Sequence, residues 1–177
     1  MESKAIYNLF KFIEDKRPEY KVPFKLKLIH APETLTKEEL NIKGNLNLAG
    51  TPIQSLPNDL KVEGDLHLSG TSIKKLPNDL KVGGSLWLEH MPIQALPKGL
   101  KVRRILWAGD SQIEFIPNDL EVGYHLDLRN TPIRSLPNDL KVGGSLGLRN
   151  TPLSEKYTKE EIKAMVPGIK GEIYLSW

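Results

Sequence analysis

Apolar residues recur along most of this chain with a period of twenty residues. A Pro preceded by Leu or Ile stands at Pro57, Pro77, Pro97, Pro117 and Pro137, with no insertion between the units. One unit reads GNLNLAGTPIQSLPNDLKVE, and six of its twenty positions are firmly apolar. A unit of this kind buries too little apolar surface to offset its own loss of conformational entropy. The repeat therefore predicts a solenoid in which each unit packs on its neighbours.

Each unit contains one Leu-x-Leu segment, which has the two-residue period of a short β-strand with both Leu side chains inward. Successive strands would run in the same direction and form a parallel sheet. The T-P-I and L-P-N-D segments suit turns, because Pro fixes its own dihedral angle and Asn or Asp bonds nearby backbone. Leu26 and Leu28 near the start, and Ile173 and Leu175 near the end, extend the series to about eight strands within residues 24–177.

The unit resembles the leucine-rich repeat, L-x-x-L-x-L-x-x-N-x-L, in its short bacterial form of about twenty residues. The resemblance covers residues 24–153. It departs from the family where Thr replaces the usual Asn and where the first Leu position is not apolar, the apolar residue standing one place earlier. The chain is similar to leucine-rich-repeat-like proteins of bacteria and their phages. That resemblance implies a solenoid with a concave parallel sheet, and it carries no assigned activity. The expectation that the concave sheet binds another protein rests on its outward residues.

The two ends of the chain predict caps, because the terminal units of a solenoid expose an apolar face. Residues 1–23 predict a helical cap, since Ile6, Leu9, Phe10 and Ile13 share one helical face. Residues 154–177 predict a cap made of a helix and a last strand. The segments TKEEL, at 36–40, and TKEEI, at 158–162, are both capping boxes that predict short helices. The fold class is thus an α+β repeat protein forming a single folded unit.

Composition excludes several classes of function. The 177 residues contain no Cys, so neither a disulfide framework nor a zinc-thiolate site is possible. A formal net charge of +3 does not favour a dedicated polyanion binder. No apolar run suits a signal peptide or a membrane span, so the expected location is cytoplasmic.

Two pairs of residues raise the question of metal or acid-base chemistry. His67 stands two residues after Asp65, and His125 two residues before Asp127, each pair on one face of a strand. Neither pair has a third ligand or a nucleophile beside it. We therefore predict no catalytic residue, no metal and no cofactor.

The central unit departs from the consensus at positions whose side chains are predicted to point away from the core. It reads KVRRILWAGDSQIEFIPNDL and has Arg103-Arg104 in place of Gly-Gly, while most inward apolar positions persist. The residue between the two inward positions of each strand points outward, and these residues form a column along the sheet in which Trp87 and Trp107 are neighbours. The predicted patch has four members at its centre and six at its rim: Trp87, Ile105, Trp107 and His125, surrounded by Arg103, Arg104, Glu89, Asp110, Asp127 and Arg129.

Exposed aromatic residues with Arg nearby are typical of protein-binding hot spots. We therefore predict a non-enzymatic, monomeric module that binds a partner protein, such as a phage- or bacterium-encoded adaptor or inhibitor. A decayed repeat, with the tryptophans covering an irregular sheet, is the alternative interpretation of the same residues. Two other functions remain open: binding of nucleic acid or nucleotides by Trp stacking and Arg, and self-assembly through the terminal strand EIYLS, residues 172–176.

Overall fold

The computed structural model describes residues 2–176, and of Glu2 and Ser3 it describes the backbone alone. Its central part is a solenoid built from two parallel sheets, in which every strand is two residues long. The prediction of a repeat solenoid with parallel strands is confirmed. The predicted single sheet of about eight strands is wrong, because each full turn contributes a strand to both sheets.

The shorter sheet has six strands, and we call it the Lys-Val sheet. In spatial order they are β1 (Asn41–Ile42), β3 (Lys61–Val62), β5 (Lys81–Val82), β7 (Lys101–Val102), β9 (Glu121–Val122) and β11 (Lys141–Val142). The longer sheet has seven strands, and we call it the tryptophan sheet. In spatial order they are β2 (Leu46–Asn47), β4 (Leu66–His67), β6 (Leu86–Trp87), β8 (Leu106–Trp107), β10 (Leu126–Asp127), β12 (Leu146–Gly147) and β13 (Ile173–Tyr174).

The core lies between the two sheets. The Val of each Lys-Val strand and both Leu of each Leu-x-Leu segment pack in one continuous apolar cluster, and in the central turns these side chains are almost fully buried. Paired residues of neighbouring strands are twenty positions apart in the sequence: Leu86 pairs with Leu106, and Trp87 with Trp107. The outward face of each sheet is therefore a set of columns, one side chain per turn, about 4.8 Å apart.

The start of the chain is helical where a first strand was predicted. Helix α1 spans Glu2–Lys16 and helix α2 spans Phe24–His30, followed by a 3-10 turn at Pro32–Thr34. The strand predicted at Leu26 and Leu28 is therefore wrong, and Leu26 is exposed whereas Leu28 is buried. Residues two apart point to nearly opposite sides of a helix, which accounts for one Leu being exposed and the other buried. A single Leu-x-Leu segment is too short to distinguish a strand from a helix by alternation alone.

Lys27 shows why this segment does not join the sheet. It was expected in the outward column but is only 4% exposed. Its Nζ lies 2.9 Å from Glu14 Oε1 of α1 and 2.9 Å from Glu39 Oε1. Burial lowers the pKa of Lys27, but the hydrogen bonds and charges of the two carboxylates more than offset this, so the pKa is raised. This paired cation joins α1 and α2 to the turn that precedes β1.

The predicted inward face of α1 is only partly buried. Phe10 packs with Val22 and Ala31 in a small cluster separate from the main core, and Leu9 is exposed. The capping box at Thr36 and Glu39 forms, with both reciprocal hydrogen bonds, but a turn follows it instead of the predicted helix.

The second capping box opens a helix, as predicted. Helix α4 spans Lys159–Met165, with Thr158 as its N-cap and Glu161 bonding back to the Thr158 N–H. A further helix, α3, spans Pro152–Lys156. Among residues 2–176, no helix is both long and apolar enough to cross a membrane. Trp177, the last residue of the predicted strand series, lies outside the described residues.

Glycine corners connect the Lys-Val strands to the tryptophan strands. A Cβ at Gly83, Gly123 or Gly143 would collide with the backbone carbonyl oxygen of the preceding turn. These three residues donate their N–H groups to the carbonyl oxygens of Val62, Val102 and Val122 at 2.8–2.9 Å. Their lack of a side chain therefore permits close stacking of the turns.

The central turn breaks this series at Arg103. Throughout the described residues, no backbone hydrogen bond joins the Arg103 N–H to the Val82 carbonyl oxygen, and β5 and β7 pair only at Val82 and Val102. The replacement of Gly-Gly by Arg103-Arg104 thus coincides with a local opening of the Lys-Val ladder.

Candidate binding surface

The tryptophans lie side by side on the outward face of the tryptophan sheet. Trp87 in β6 and Trp107 in β8 are register partners, and both side chains are partly buried. The Trp87 ring contacts His67 of the preceding turn, with ring centroids 5.2 Å apart. The side chains under both tryptophans, Leu86 and Leu106, are fully buried. The outward position of the two rings therefore follows from strand alternation above a packed core.

The neighbouring column consists of side chains that bond the backbone of the next turn. Asn45 Oδ1 accepts from the Asp65 N–H at 2.8 Å, and Asp65 Oδ1 accepts from the Ser85 N–H at 2.7 Å. His125 Nδ1 accepts from the Ser145 N–H at 2.9 Å. These contacts give Asp65 and His125 structural roles and account for both without acid-base chemistry.

Ile105 occupies the same column but has no polar atom to accept a hydrogen bond. The ladder of side-chain acceptors is therefore interrupted between Ile105 and His125, next to Trp107. His125 also makes an edge-to-face contact with the exposed Tyr124, with ring centroids 4.5 Å apart. The centre of the predicted patch is thus more apolar than the turns on either side.

Three of the predicted rim residues gather around a fourth. Arg129 lies 3.6 Å from Glu89 Oε1, 3.9 Å from Asp110 Oδ2 and 3.4 Å from Asp127 Oδ2. Asp127 Oδ1 also accepts a hydrogen bond from the Arg129 N–H at 3.0 Å. Burial raises the pKa of Asp127 by more than this hydrogen bond and the Arg129 charge lower it. The guanidinium is therefore surrounded by carboxylates of its own chain.

Asp110 has a structural role as well. It is in the left-handed region, with φ 58°, at a turn position that is Gly50 and Gly70 in earlier turns. Its Oδ1 accepts from Asn130 Nδ2 at 2.8 Å, and Asn130 Oδ1 accepts from Asn150 Nδ2 at 2.8 Å. Asp is one of the few non-Gly residues that tolerate this conformation, so backbone geometry accounts for its presence here.

Arg103 is not brought together with the tryptophans. Both Arg103 and Arg104 are exposed, and Arg103 lines a groove on the Lys-Val sheet with Lys101 and Glu121. The Arg104 backbone continues the corner ladder, donating to the Gly84 carbonyl oxygen at 3.2 Å. Within residues 2–176, neither arginine makes an ion pair closer than 4.0 Å.

A recess of about 330 Å³ opens beside Trp107 on the tryptophan sheet. Four predicted site residues line it: Trp107, His125, Asp127 and Arg129. Besides the inward Leu126, its lining contains four residues that the sequence did not single out for the site: Ser145, Gly147, Arg149 and Tyr174. Their signal in the sequence was their position in the same outward columns of the last turns, where Gly147 is the smallest member of the tryptophan column.

No protein-family model matches this chain, and no curated protein matches it significantly. The geometry of the surface is therefore the basis for a functional assignment.

Proposed function

We propose that this protein is a non-enzymatic, monomeric binding module that holds a partner protein against the outer face of its tryptophan sheet. The observation that carries the proposal is the placement of Trp87 and Trp107, side by side and partly exposed, above a rigid core. Large rings on a rigid support lose little conformational entropy on binding and bury a large apolar area. A cytoplasmic adaptor or inhibitor of bacterial or phage origin fits both this placement and the resemblance to short bacterial leucine-rich repeats.

The contacts of the rim support this proposal over a decayed repeat. A fully decayed turn would have no ordered contacts on this face, but Asp110 of the central turn accepts a hydrogen bond from Asn130 Nδ2 and lies 3.9 Å from Arg129, which also contacts Glu89 and Asp127. The polar residues around the tryptophans are thus held by hydrogen bonds and ion pairs. Residues that hold their neighbours in place and exclude water around an aromatic centre are typical of binding hot spots.

Nucleic-acid binding is the less favoured function for the same surface. Arg103 lies on the Lys-Val sheet, and Arg129 is compensated by carboxylates, which leaves fewer cations beside the tryptophans than the sequence suggested. Self-assembly is favoured by one observation: β13 stands at the end of the tryptophan sheet, and a terminal strand can pair with another chain. Light scattering at high concentration tests self-assembly, since a strictly monomeric protein would exclude it.

The test is capture of a partner with a surface variant. We expect the wild-type chain to retain a specific protein from nuclease-treated lysate of its source cells, and Trp87→Ala with Trp107→Ala to lose it. With the purified partner, calorimetry should show affinity reduced at least about a hundredfold, because a hot-spot residue costs about 2 kcal/mol or more when truncated.

A matched control changes the other sheet. Lys81→Ala with Lys101→Ala alters the same number of outward side chains in the same two turns, and we expect it to retain the partner. The melting temperature of the tryptophan variant should fall by only a few degrees, at about 2–4 °C per kcal/mol of lost stability. A collapse of the melting temperature would mean that the tryptophans are packing residues and would contradict the proposal.

A further inference from the structure

The recess on the tryptophan sheet has a low floor between two aromatic walls. Trp107, Asp127, Gly147 and Tyr174 are register partners in four successive strands. Three strand spacings of about 4.8 Å separate the walls by roughly 14 Å. Gly147 has no side chain, and the Asp127 side chain is bonded to Arg129, so neither of the two column positions between the rings fills the space. Tyr174, which is 45% exposed, lines the edge of the recess.

The polar groups around this floor are hydrogen-bond donors. Because His125 Nδ1 accepts from the Ser145 N–H, the neutral imidazole must have its proton on Nε2 and so present a donor there. Ser145 contributes a hydroxyl and Arg149 a guanidinium. Among the described residues, no carboxylate lies within 4.0 Å of the exposed Arg149, in contrast to Arg129. Arg149 thus has no carboxylate partner among residues 2–176, whereas Arg129 has three.

We propose that this recess binds an aromatic side chain of the partner protein that has an acidic residue next to it in the partner's sequence. The ring would lie over Gly147 between Trp107 and Tyr174, and the carboxylate would contact Arg149. This inference rests on the proposed function, since it names the part of the partner that the surface recognises. A volume of about 330 Å³ lies at the small end of the usual range for ligand pockets, about 300–1,000 Å³, and so suits a single side chain.

Charge decides between an acidic and a basic neighbour for that ring. The lining has two arginines against one carboxylate, Asp127, and that carboxylate is bonded to Arg129. A cationic ligand would find Arg149 without an intervening acid. A carboxylate would find a guanidinium that can form two parallel hydrogen bonds.

Gly147 is the position at which the recess can be filled without altering the core. An added Cβ would lie 3.1 Å from Asp127 Oδ1, the end of a side chain, and 3.8 Å from the nearest backbone atom, Asp127 Cα. Gly147 is not among the residues with positive φ, so a larger residue fits its backbone conformation. A leucine side chain at this position would extend outward between the two aromatic walls.

The experiment titrates the full chain, labelled with 15N, with the capped tripeptide acetyl-Glu-Trp-Glu-amide. We expect saturable shifts of the Ser145, Gly147 and Arg149 amides and of the Trp107 indole N–H, with a dissociation constant on the order of 1 mM. Two comparison peptides, acetyl-Lys-Trp-Lys-amide and acetyl-Glu-Leu-Glu-amide, should each bind at least about tenfold more weakly. Equal binding of the three peptides, or no saturable shift, would overturn the inference.

Two variants locate the binding. Gly147→Leu should abolish the shifts, whereas Asn47→Leu, an exposed position of the same column in β2, should leave them unchanged. Arg149→Gln leaves the recess open and should bring the acidic and basic peptides to nearly equal affinity. Well-dispersed spectra of each variant establish that it is folded. Unchanged peptide binding by Gly147→Leu would show that the peptide lies elsewhere and would overturn the inference.

The two proposals fail separately. If the acidic peptide does not bind but the double tryptophan variant still loses a captured protein, the recess is not the site and the tryptophan surface stands. If the peptide binds in the recess but no protein is retained by the wild-type chain, the recess stands as a site for aromatic acids and the proposed function is wrong.

Discussion

The two sheets of this solenoid have the same strand length and the same repeat, yet their outward columns differ. The Lys-Val sheet repeats nearly one residue type after Asn41, in the series Lys61, Lys81, Lys101, Glu121 and Lys141. The tryptophan sheet has six residue types at seven positions, in the series Asn47, His67, Trp87, Trp107, Asp127, Gly147 and Tyr174. The inward positions of both stay apolar. A scaffold fixed by packing thus leaves one face uniform and charged, and the other free to hold specific chemistry.

The charged face contributes little binding energy within the chain. Glu121 lies 3.0 Å from Lys101 Nζ and 2.8 Å from Lys141 Nζ, but both lysines are well exposed. Exposed ion pairs of this kind are worth about 0–1 kcal/mol and weaken with added salt. In the tryptophan sheet, by contrast, Asp127 and Arg129 are bonded at the base of a recess. The charges of the tryptophan sheet are therefore more buried than those of the Lys-Val sheet, as the proposed binding role of that face requires.

The largest expected effect tests whether the two sheets share one core. Leu86→Ala in the tryptophan sheet should reduce the free energy of unfolding by about 2–5 kcal/mol, because a fully buried Leu is truncated. Val82→Ala in the same turn of the Lys-Val sheet should cost about 1.5–3 kcal/mol, since fewer buried methyl groups are lost. Urea denaturation measures both.

The exposed neighbours of these residues are the controls. Lys81→Ala should change the free energy of unfolding by no more than about 0.5 kcal/mol, as is usual at surface positions. If Val82→Ala proved as neutral as Lys81→Ala, the Lys-Val strands would not be part of the core, and the comparison of two equivalent scaffolds would fail.

A smaller effect is expected where the Lys-Val ladder opens. Arg103→Gly removes the Cβ and should let this amide donate to the Val82 carbonyl oxygen, as Gly83 and Gly123 donate in their turns. Hydrogen exchange at residue 103 should slow by between about twofold and tenfold, which corresponds to one hydrogen bond of about 0.5–1.5 kcal/mol. Overall stability should change less, because glycine costs more entropy on folding.

Arg103→Ala is the matched control, because it removes the guanidinium and keeps the Cβ. We expect its exchange rate at residue 103 to match the wild type. Glu63 shows why the control is needed: it has a Cβ at the equivalent position and still donates to the Ile42 carbonyl oxygen at 2.9 Å. Slower exchange in Arg103→Ala would attribute the open ladder to the charge instead of to the Cβ.

Periodicity explains how much of the fold could be predicted from the sequence. The seven strands of the tryptophan sheet follow from alternation that is repeated in register, and the solenoid follows from the period. The Lys-Val strands were missed because two residues are too short for an alternation to be visible, and only their pairing across turns makes them strands. The strand predicted around Leu26 was wrong because the buried Lys27 binds Glu14 and Glu39. No local sequence pattern indicates these ion pairs.

For the candidate site, the sequence predicted only which outward residues are neighbours within a column of the sheet. Alternation correctly placed Trp87 and Trp107 beside each other, because it depends on strand register alone. It gave no warning that Arg103 belongs to the other sheet, since the corner between the sheets was unknown. The recess depends on the absence of a side chain at Gly147, which is visible in the column, and on the bond between Asp127 and Arg129, which requires coordinates.

The subtlest difference between the sheets concerns two carboxylates of the same turn. In the Lys-Val sheet, the hydrogen bonds from Lys141 and Lys101 lower the pKa of Glu121 below 4.5. In the tryptophan sheet, burial raises the pKa of Asp127 above 3.8, against the opposing effect of Arg129. The environment of the charged face thus favours the ionised form of its acid, and the environment of the recess disfavours it.

Opposite shifts give stability opposite dependences on pH. Glu121 contributes stability that is fully present above pH 4.5 and is lost as the pH falls through its lowered pKa. Asp127 opposes folding once it is ionised, so its cost appears as the pH rises from below 3.8 through its raised pKa. In urea unfolding at neutral pH, Glu121→Gln should therefore be slightly less stable than the wild type. Asp127→Asn, which keeps the Oδ1 acceptor for the Arg129 N–H, should be slightly more stable, and both differences should vanish in acid. Equal signs for the two variants would mean that the two faces do not differ electrostatically, and the contrast between the sheets would then rest on shape alone.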